Sequence, residues 1–141
     1  MSTLQNETLL VADVMLGMGK FPVVAPCTFL KPALEEMGKA RLGIICISGP
    51  EGGLDGILTD GDLRRQLLRM QKPFSAFFAD DVIDHAVLSP TTVLDTASLR
   101  SALDIMEAKQ VWDLPVLNEA GRLVGLLHLH RVVQKLLGQN A

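Results

Sequence analysis

Apolar and polar positions alternate along this chain in one rhythm that occurs twice. Leu30, Ala33, Leu34 and Met37 stand at i, i+3, i+4 and i+7, the spacing of a helix with one apolar stripe turned to a core. Pro32 falls in the first turn of that helix, where a missing N–H is tolerated. After Gly43, the run Ile44-Ile45-Cys46-Ile47 is β-rich and has the length of a buried strand. Gly49-Pro50-Glu51-Gly52-Gly53 carries turn chemistry, and Leu54 to Leu58 follows as a second strand, so the two make a hairpin. A helix from Asp60 to Met70 closes the unit.

Sliding the sequence by 69 residues lays Val24 to Leu68 on Val93 to Leu137 without a gap. Leu30, Ala33, Leu34 and Met37 fall on Leu99, Ala102, Leu103 and Met106. Gly52, Leu54, Gly56 and Leu58 fall on Gly121, Leu123, Gly125 and Leu127. Asn118-Glu119-Ala120-Gly121 is the counterpart turn, Leu123 to Leu127 the second strand, and Leu129 to Leu137 the closing helix, with Ser98 the expected N-cap of the helix before them. Upstream, Asp13-Val14-Met15 echoes Asp81-Val82-Ile83 at an offset of 68. A fixed internal period makes each copy one structural unit.

Each unit reads as short helix, strand, helix, strand, strand, helix. The expected class is α/β (α+β), built from two β-α-β-β-α repeats packed with pseudo-twofold symmetry. A unit of roughly 60 residues leaves one sheet face uncovered, and packing on its twin buries that face and creates clefts between the halves. The boundaries are expected at residues 11–71 and 79–138, with 72–78 as linker and 1–10 disordered or part of an interdomain linker. Phe74, Phe77 and Phe78, carried by the linker, either pack against the sheets or the opposite half, or join an interface with another subunit or domain.

Composition narrows the function classes. The 141 residues are 48% hydrophobic and 21% charged, a globular profile. Thirteen basic against sixteen acidic residues give a net charge of −3, which argues against a nucleic-acid surface. No apolar run approaches the roughly 20 residues that cross a bilayer, and no signal peptide is visible. Cys27 and Cys46 lie in hydrophobic settings without CxxC spacing and read as small core residues of a cytoplasmic protein.

The segment Gly56 to Arg65 carries the most chemistry. A strand ends at Thr59 and a helix begins directly after it. Backbone N–H groups at a helix start attract phosphate, and the Thr59 hydroxyl can add a hydrogen bond. Asp62 can accept from a sugar diol, and Arg64 or Arg65 can neutralise a phosphate, the other facing solvent. The competing reading makes Thr59 and Asp60 a helix cap and dipole partner, with Asp62 supporting the first turn. In the second copy Thr59 becomes His128 and Asp62 becomes Arg131. His128 and His130, two apart, point the same way on an extended chain and read as ligand contacts or structural groups. A metal would need further ligands, and no metal site is expected. Trp112 aligns with Gly43 and is expected to be a packing anchor, and Asp113 to be a surface carboxylate. No constellation of nucleophile, base and paired carboxylates is present, so no catalytic residue is assigned.

The repeat, its D-V-M opening, its L-x-x-A-L helix and its G-h-h-T-D-G-D-L-R-R close resemble a tandem pair of cystathionine-β-synthase (CBS) domains, a regulatory module that binds nucleotide-like ligands. The family's motif of Thr or Ser with Asp three residues later matches Thr59 and Asp62. Leu42-Gly43-Ile44, Thr59 to Arg65 and Leu127-His128-Leu129-His130 further resemble the C-terminal CBS pair of bacterial D-arabinose-5-phosphate isomerases, which make a precursor of Kdo for lipopolysaccharide. CBS pairs attached to sugar nucleotidyltransferases share the T-D-G-D-h-R-R run and are the alternative. The resemblance implies a non-enzymatic regulatory chain, a fragment or a freestanding relative, that modulates an attached sugar-isomerase domain. Its ligand contacts would be Thr59, Asp60, Asp62, Arg64, His128, His130 and Arg131. No cofactor is required, and AMP, ATP, CMP or CMP-Kdo would be the effector. The implied partners are a homodimer mate and the catalytic domain, with neither membrane nor nucleic acid. Where the family resembles H-x-H-D, this chain has Arg131, so the second site would suit an anion such as a phosphate or a sugar-acid carboxylate. A purely structural, dimerising module is the competing function.

Overall fold

The computed structural model describes residues 9–138, and the expectation for residues 1–8 lies outside them. In chain order the elements are α1 (Val11–Val14), β1 (Leu16–Gly17), β2 (Val23–Val24), α2 (Leu30–Ala40), β3 (Ile44–Ile47), β4 (Gly56–Thr59) and α3 (Asp60–Arg69). They continue as α4 (Phe74–Phe78), a 3-10 turn (Val82–His85), β5 (Val93–Leu94), α5 (Leu99–Lys109), β6 (Asp113–Leu117), β7 (Leu123–His128) and α6 (Leu129–Leu136). The class is mixed α/β, as the sequence pattern implies.

Two compact units form. One is Gly19–Pro90; the other joins the N-terminal residues through Met18 to those from Thr91 onward. In the first unit β2 runs parallel to β3, and β3 pairs antiparallel with β4, Ile45 opposite Leu58. The second repeats this order: β5 runs parallel to β6, β6 pairs antiparallel with β7, and Leu114 lies opposite Leu127. The first core gathers Leu30, Ala33, Met37, Ile45, Ile47 and Leu58; the second gathers the matching Leu99, Ala102, Met106, Leu114, Val116 and Leu127. Helical spacing in α2 and α5 therefore buries the stripe that the sequence marks. Gly52 and Gly121, at equivalent turn positions, adopt φ of 84° and 82°, a region open to glycine at no steric cost.

Each unit also takes in a lead-in segment that precedes the other repeat in sequence. In the second unit Val11 and Val14 of α1 enter the core, and Leu16 pairs with Leu126 on β7. In the first, Val82 enters the core, and Val87 pairs with Ile57 on β4. A glycine on each receiving strand permits the approach. A Cβ on Gly56 would meet the Val87 carbonyl oxygen at 2.9 Å, and one on Gly125 would meet that of Leu16 at 2.8 Å.

Residues 74–78 form a helix whose Phe77 packs in the first core at 1% exposure, as the packing alternative expects, while Phe74 is exposed and stacks on Phe78. Two expectations need correction. Cys46 is buried, as expected of a core residue, but Cys27 is exposed because it lies in the turn between β2 and α2. Trp112 is 71% exposed and anchors no core. Asp80 accepts from Lys72 Nζ at 2.6 Å and contacts His85 Nε2 at 2.8 Å. The Lys72 hydrogen bond first, then that of His85, holds its carboxyl below the usual range.

Candidate functional site

The β4–α3 corner of the first unit is a closed hydrogen-bond network. Thr59, in extended conformation at the end of β4, is the N-cap of α3. Its Oγ1 accepts from the Asp62 backbone N–H at 3.2 Å, while its own backbone N–H donates to Asp62 Oδ2 at 3.1 Å. This reciprocal pairing is a capping box, which satisfies donors that a helix start leaves over. The Thr59 hydroxyl hydrogen also goes to Asp62 Oδ2, at 2.8 Å, and Arg65 Nη2 donates to Oδ1 at 2.7 Å. Burial pushes the Asp62 carboxyl up, but the hydrogen bonds from Arg65 and Thr59 and the Arg65 charge outweigh it and hold it below its ordinary value of 3.8.

These contacts bring Thr59, Asp60 and Asp62 together, with Arg65 rather than Arg64 as the bound cation; Arg64 is exposed. Two backbone donors at the helix start are already engaged, since Asp60 N–H donates to the Gly43 carbonyl at 3.0 Å and Asp62 N–H to Thr59. The Asp60 carboxylate folds over Gly43: a Cβ there would lie 2.7 Å from Asp60 Oδ2. The capping reading of Thr59 and Asp62 is thus realised in the fold.

The β7–α6 corner of the second unit keeps this backbone and changes the side chains. Leu129 N–H donates to the Trp112 carbonyl at 2.9 Å, the counterpart of the Asp60–Gly43 bond. His128 occupies the N-cap position, yet its side chain makes no capping bond. It turns across the hairpin to Asp113, with Nδ1 and Oδ1 2.8 Å apart. His128 and Asp113 are a cross-strand pair, as Thr59 and Ile44 are in the first unit.

The helix begins at Leu129, so His128 and His130 do not sit on one face of an extended segment. Their rings meet edge-on at 6.3 Å. Arg131, in the first turn, is exposed. Beside this corner an apolar groove of about 300 Å³ is walled by Leu103, Met106, Val111, Trp112 and Leu129. Among the described residues no three His, Cys, Asp or Glu side chains converge as a metal set, and no helix is long and apolar enough to cross a membrane.

Sequence reasoning missed Asp113, which is 11% exposed rather than a solvated surface group. The repeat register held the clue: the offset that pairs Thr59 with His128 also pairs Ile44 with Asp113, placing them opposite in the hairpin. The Thr59, Asp60 and Asp62 group and the His128, His130 and Arg131 group belong to different compact units.

Known proteins share both the sequence and the fold. Residues 79–138 match the CBS domain family. The arabinose 5-phosphate isomerase KdsD of Pseudomonas aeruginosa is 36% identical over 128 residues, covering 89% of this chain and 37% of that protein. KdsD of Yersinia pestis is 29% identical over 126 residues, with the same two coverages of 89% and 37%. The chain spans about a third of the length of the curated relatives it matches. Among solved structures, CBSX2 in complex with AMP is 27% identical with a TM-score of 0.81, over 94% of this chain and 99% of that one. CBSX2 from Arabidopsis thaliana is 26% identical with a TM-score of 0.79, over 94% of this chain and 96% of that one. With a repeated β-α-β-β-α unit, a capped T-D-G-D corner and these relatives, the chain is a CBS-domain pair resembling the C-terminal CBS region of the arabinose 5-phosphate isomerases.

Proposed function

We propose that this CBS pair is a non-catalytic sensor: it binds a nucleotide or nucleotide-sugar and modulates an attached arabinose 5-phosphate isomerase domain. The carrying observation is the pre-ordered carboxylate of Asp62 in the first turn of α3, held by Thr59 and Arg65. An ionised carboxylate accepts at about four positions. Thr59 takes two on Oδ2 and Arg65 one on Oδ1, so the position left on Oδ1 suits a ribose hydroxyl. Arg64, exposed next to Arg65, supplies a cation for phosphate.

Similarity to CBSX2, which was solved in complex with AMP, supports a nucleotide ligand. AMP, ATP, CMP and CMP-Kdo are the candidates, with His128, His130 and Arg131 as the candidate ligand contacts of the second unit's own corner. The protein acts in the cytoplasm, as a homodimer, with no cofactor of its own. Effector binding shifts the attached activity by a coupling of about 1–3 kcal/mol, or roughly 5–150-fold.

Calorimetry with these four ligands tests the reading. Binding of at least one at millimolar concentration is expected, weakened by about 1–3 kcal/mol in Asp62→Ala. Absence of heat with all four sinks it. A second reading, a dimerising module without ligand, draws on α3, which buries none of its residues and leaves Leu68 82% exposed. Silent calorimetry together with a dimer in sedimentation would favour it.

A further inference from the structure

The second unit has lost Asp62's counterpart to Arg131 but has not lost its carboxylate. Asp113 supplies one from the neighbouring strand, 2.8 Å from His128 Nδ1. The Asp113 side chain is 11% exposed and that of His128 is 25% exposed. An ionised carboxylate only accepts, so the shared hydrogen sits on His128 Nδ1. In the neutral ring that leaves Nε2, on the side away from Asp113, as a lone-pair acceptor. Arg131, three residues on and exposed in the first turn of α6, is a permanent cation. The pair therefore joins an acceptor to a cation, where Thr59 and Asp62 of the first unit join a hydroxyl to a carboxylate.

We infer that Asp113 is the positioning residue of a second recognition point, holding His128 in the tautomer that accepts a ligand hydroxyl at Nε2 while Arg131 takes the ligand's anionic group, so that the ligand is a phosphorylated polyol of the sugar-phosphate class. The inference rests on the sensing reading above, and it differs from a plain anion site in requiring the hydroxyl. Inorganic phosphate satisfies Arg131 alone, whereas a pentose phosphate engages both residues. Asp113 does not touch the ligand. Its effect passes through the imidazole, as carboxylates orient histidines elsewhere.

Two measurements on the whole chain test this. Nitrogen-15 NMR of the histidine rings should show His128 hydrogenated at Nδ1 when neutral, and this preference should be lost in Asp113→Ala. In titrations, D-ribose 5-phosphate should bind more tightly than inorganic phosphate, by about tenfold for one hydrogen bond in a half-buried site. Asp113→Ala should erase that ratio, Asp113→Asn, which keeps an acceptor for Nδ1–H, should restore most of it, and Arg131→Gln should weaken both ligands alike. An Nε2–H tautomer in the native protein, an unchanged ratio in Asp113→Ala, or failure of ribose 5-phosphate to bind overturns the inference. The sensing reading survives such a failure if a nucleotide still gives heat at the Thr59 corner, and falls only if all nucleotides are silent too. Circular dichroism of each variant separates loss of recognition from loss of fold.

Discussion

At the β4–α3 corner, Thr59 and Asp62 close a capping box and Arg65 locks the carboxylate from one turn further on. At the β7–α6 corner the backbone bond to the residue just before the hairpin is kept, at 2.9 Å against 3.0 Å, yet the cap is gone. There the polar partner of the strand-end residue comes from β6, as Asp113, instead of from the helix. Register and hydrogen-bonded backbone thus persist across the repeat while the source of the charge moves between elements. The helix α6 can do without a side-chain cap because Val132 is fully buried in the second core, and tertiary packing contributes more to a short helix than its ends do. In α3, which buries no residue, the cap and its ion pair matter more.

The largest effects should come from the cores beneath the two corners. Leu58 and Leu127 are equivalent, both 0% exposed, and each lies in its own unit's cluster. Substitution to alanine should cost about 2–5 kcal/mol at either site. The single tryptophan, Trp112, belongs to the second unit, so its fluorescence reports that unit during urea unfolding. Leu127→Ala should move the fluorescence midpoint by its full effect and Leu58→Ala by less. Equal shifts would mean that the halves unfold as one block, and the comparison would then apply to chemistry alone.

An intermediate effect concerns acid. The folded pKa of Asp62 lies below its ordinary 3.8, so its stabilising contribution is complete at pH well above 3.8 and is lost as pH falls through the lower folded value. In Asp62→Asn that loss is absent. The variant should be less stable than the native protein near pH 6, and the gap should narrow below about pH 3.8 in thermal melts taken across this range. A gap that stays constant down to pH 2 would show that the network acts through shape, not ionisation.

Much of this was legible in the chain. The i, i+3, i+4, i+7 stripes fix which faces of α2 and α5 are buried, and the repeat fixes two hairpins in one register. The unit boundaries were less legible, because the segments at Val14 and Val82 are too short to show which core they enter; only the contact with Gly56 or Gly125 decides it. Thr59 and Asp62 could be located, but spacing alone could not separate a cap from a ligand contact, since one geometry serves both. Asp113 was misread because a carboxylate at a strand start has a solvent-facing default, and its real partner lies across a turn, 15 residues away. Trp112 was misread for the opposite reason: aromatic bulk suggests burial, but at this position the chain lies at the rim of a groove.

The smallest expected effect separates the helices that precede the two hairpins. Both end on a left-handed residue that is not glycine, Arg41 with φ 56° and ψ 36°, and Gln110 with φ 56° and ψ 47°. A side chain in this conformation costs about 1–2 kcal/mol, and glycine relieves that strain while adding entropy to the unfolded chain. Arg41→Gly should therefore stabilise by about 0.5–1 kcal/mol. Gln110→Gly meets an additional loss, because Gln110 Nε2 donates to the Glu107 carbonyl at 2.8 Å. A hydrogen bond of this kind contributes about 0.5–1.5 kcal/mol, so the second substitution should be near neutral. Urea midpoints of the two variants measure the contrast. Equal stabilisation by both would mean that the Gln110 bond contributes nothing, leaving the two helix ends energetically as alike as their backbones are.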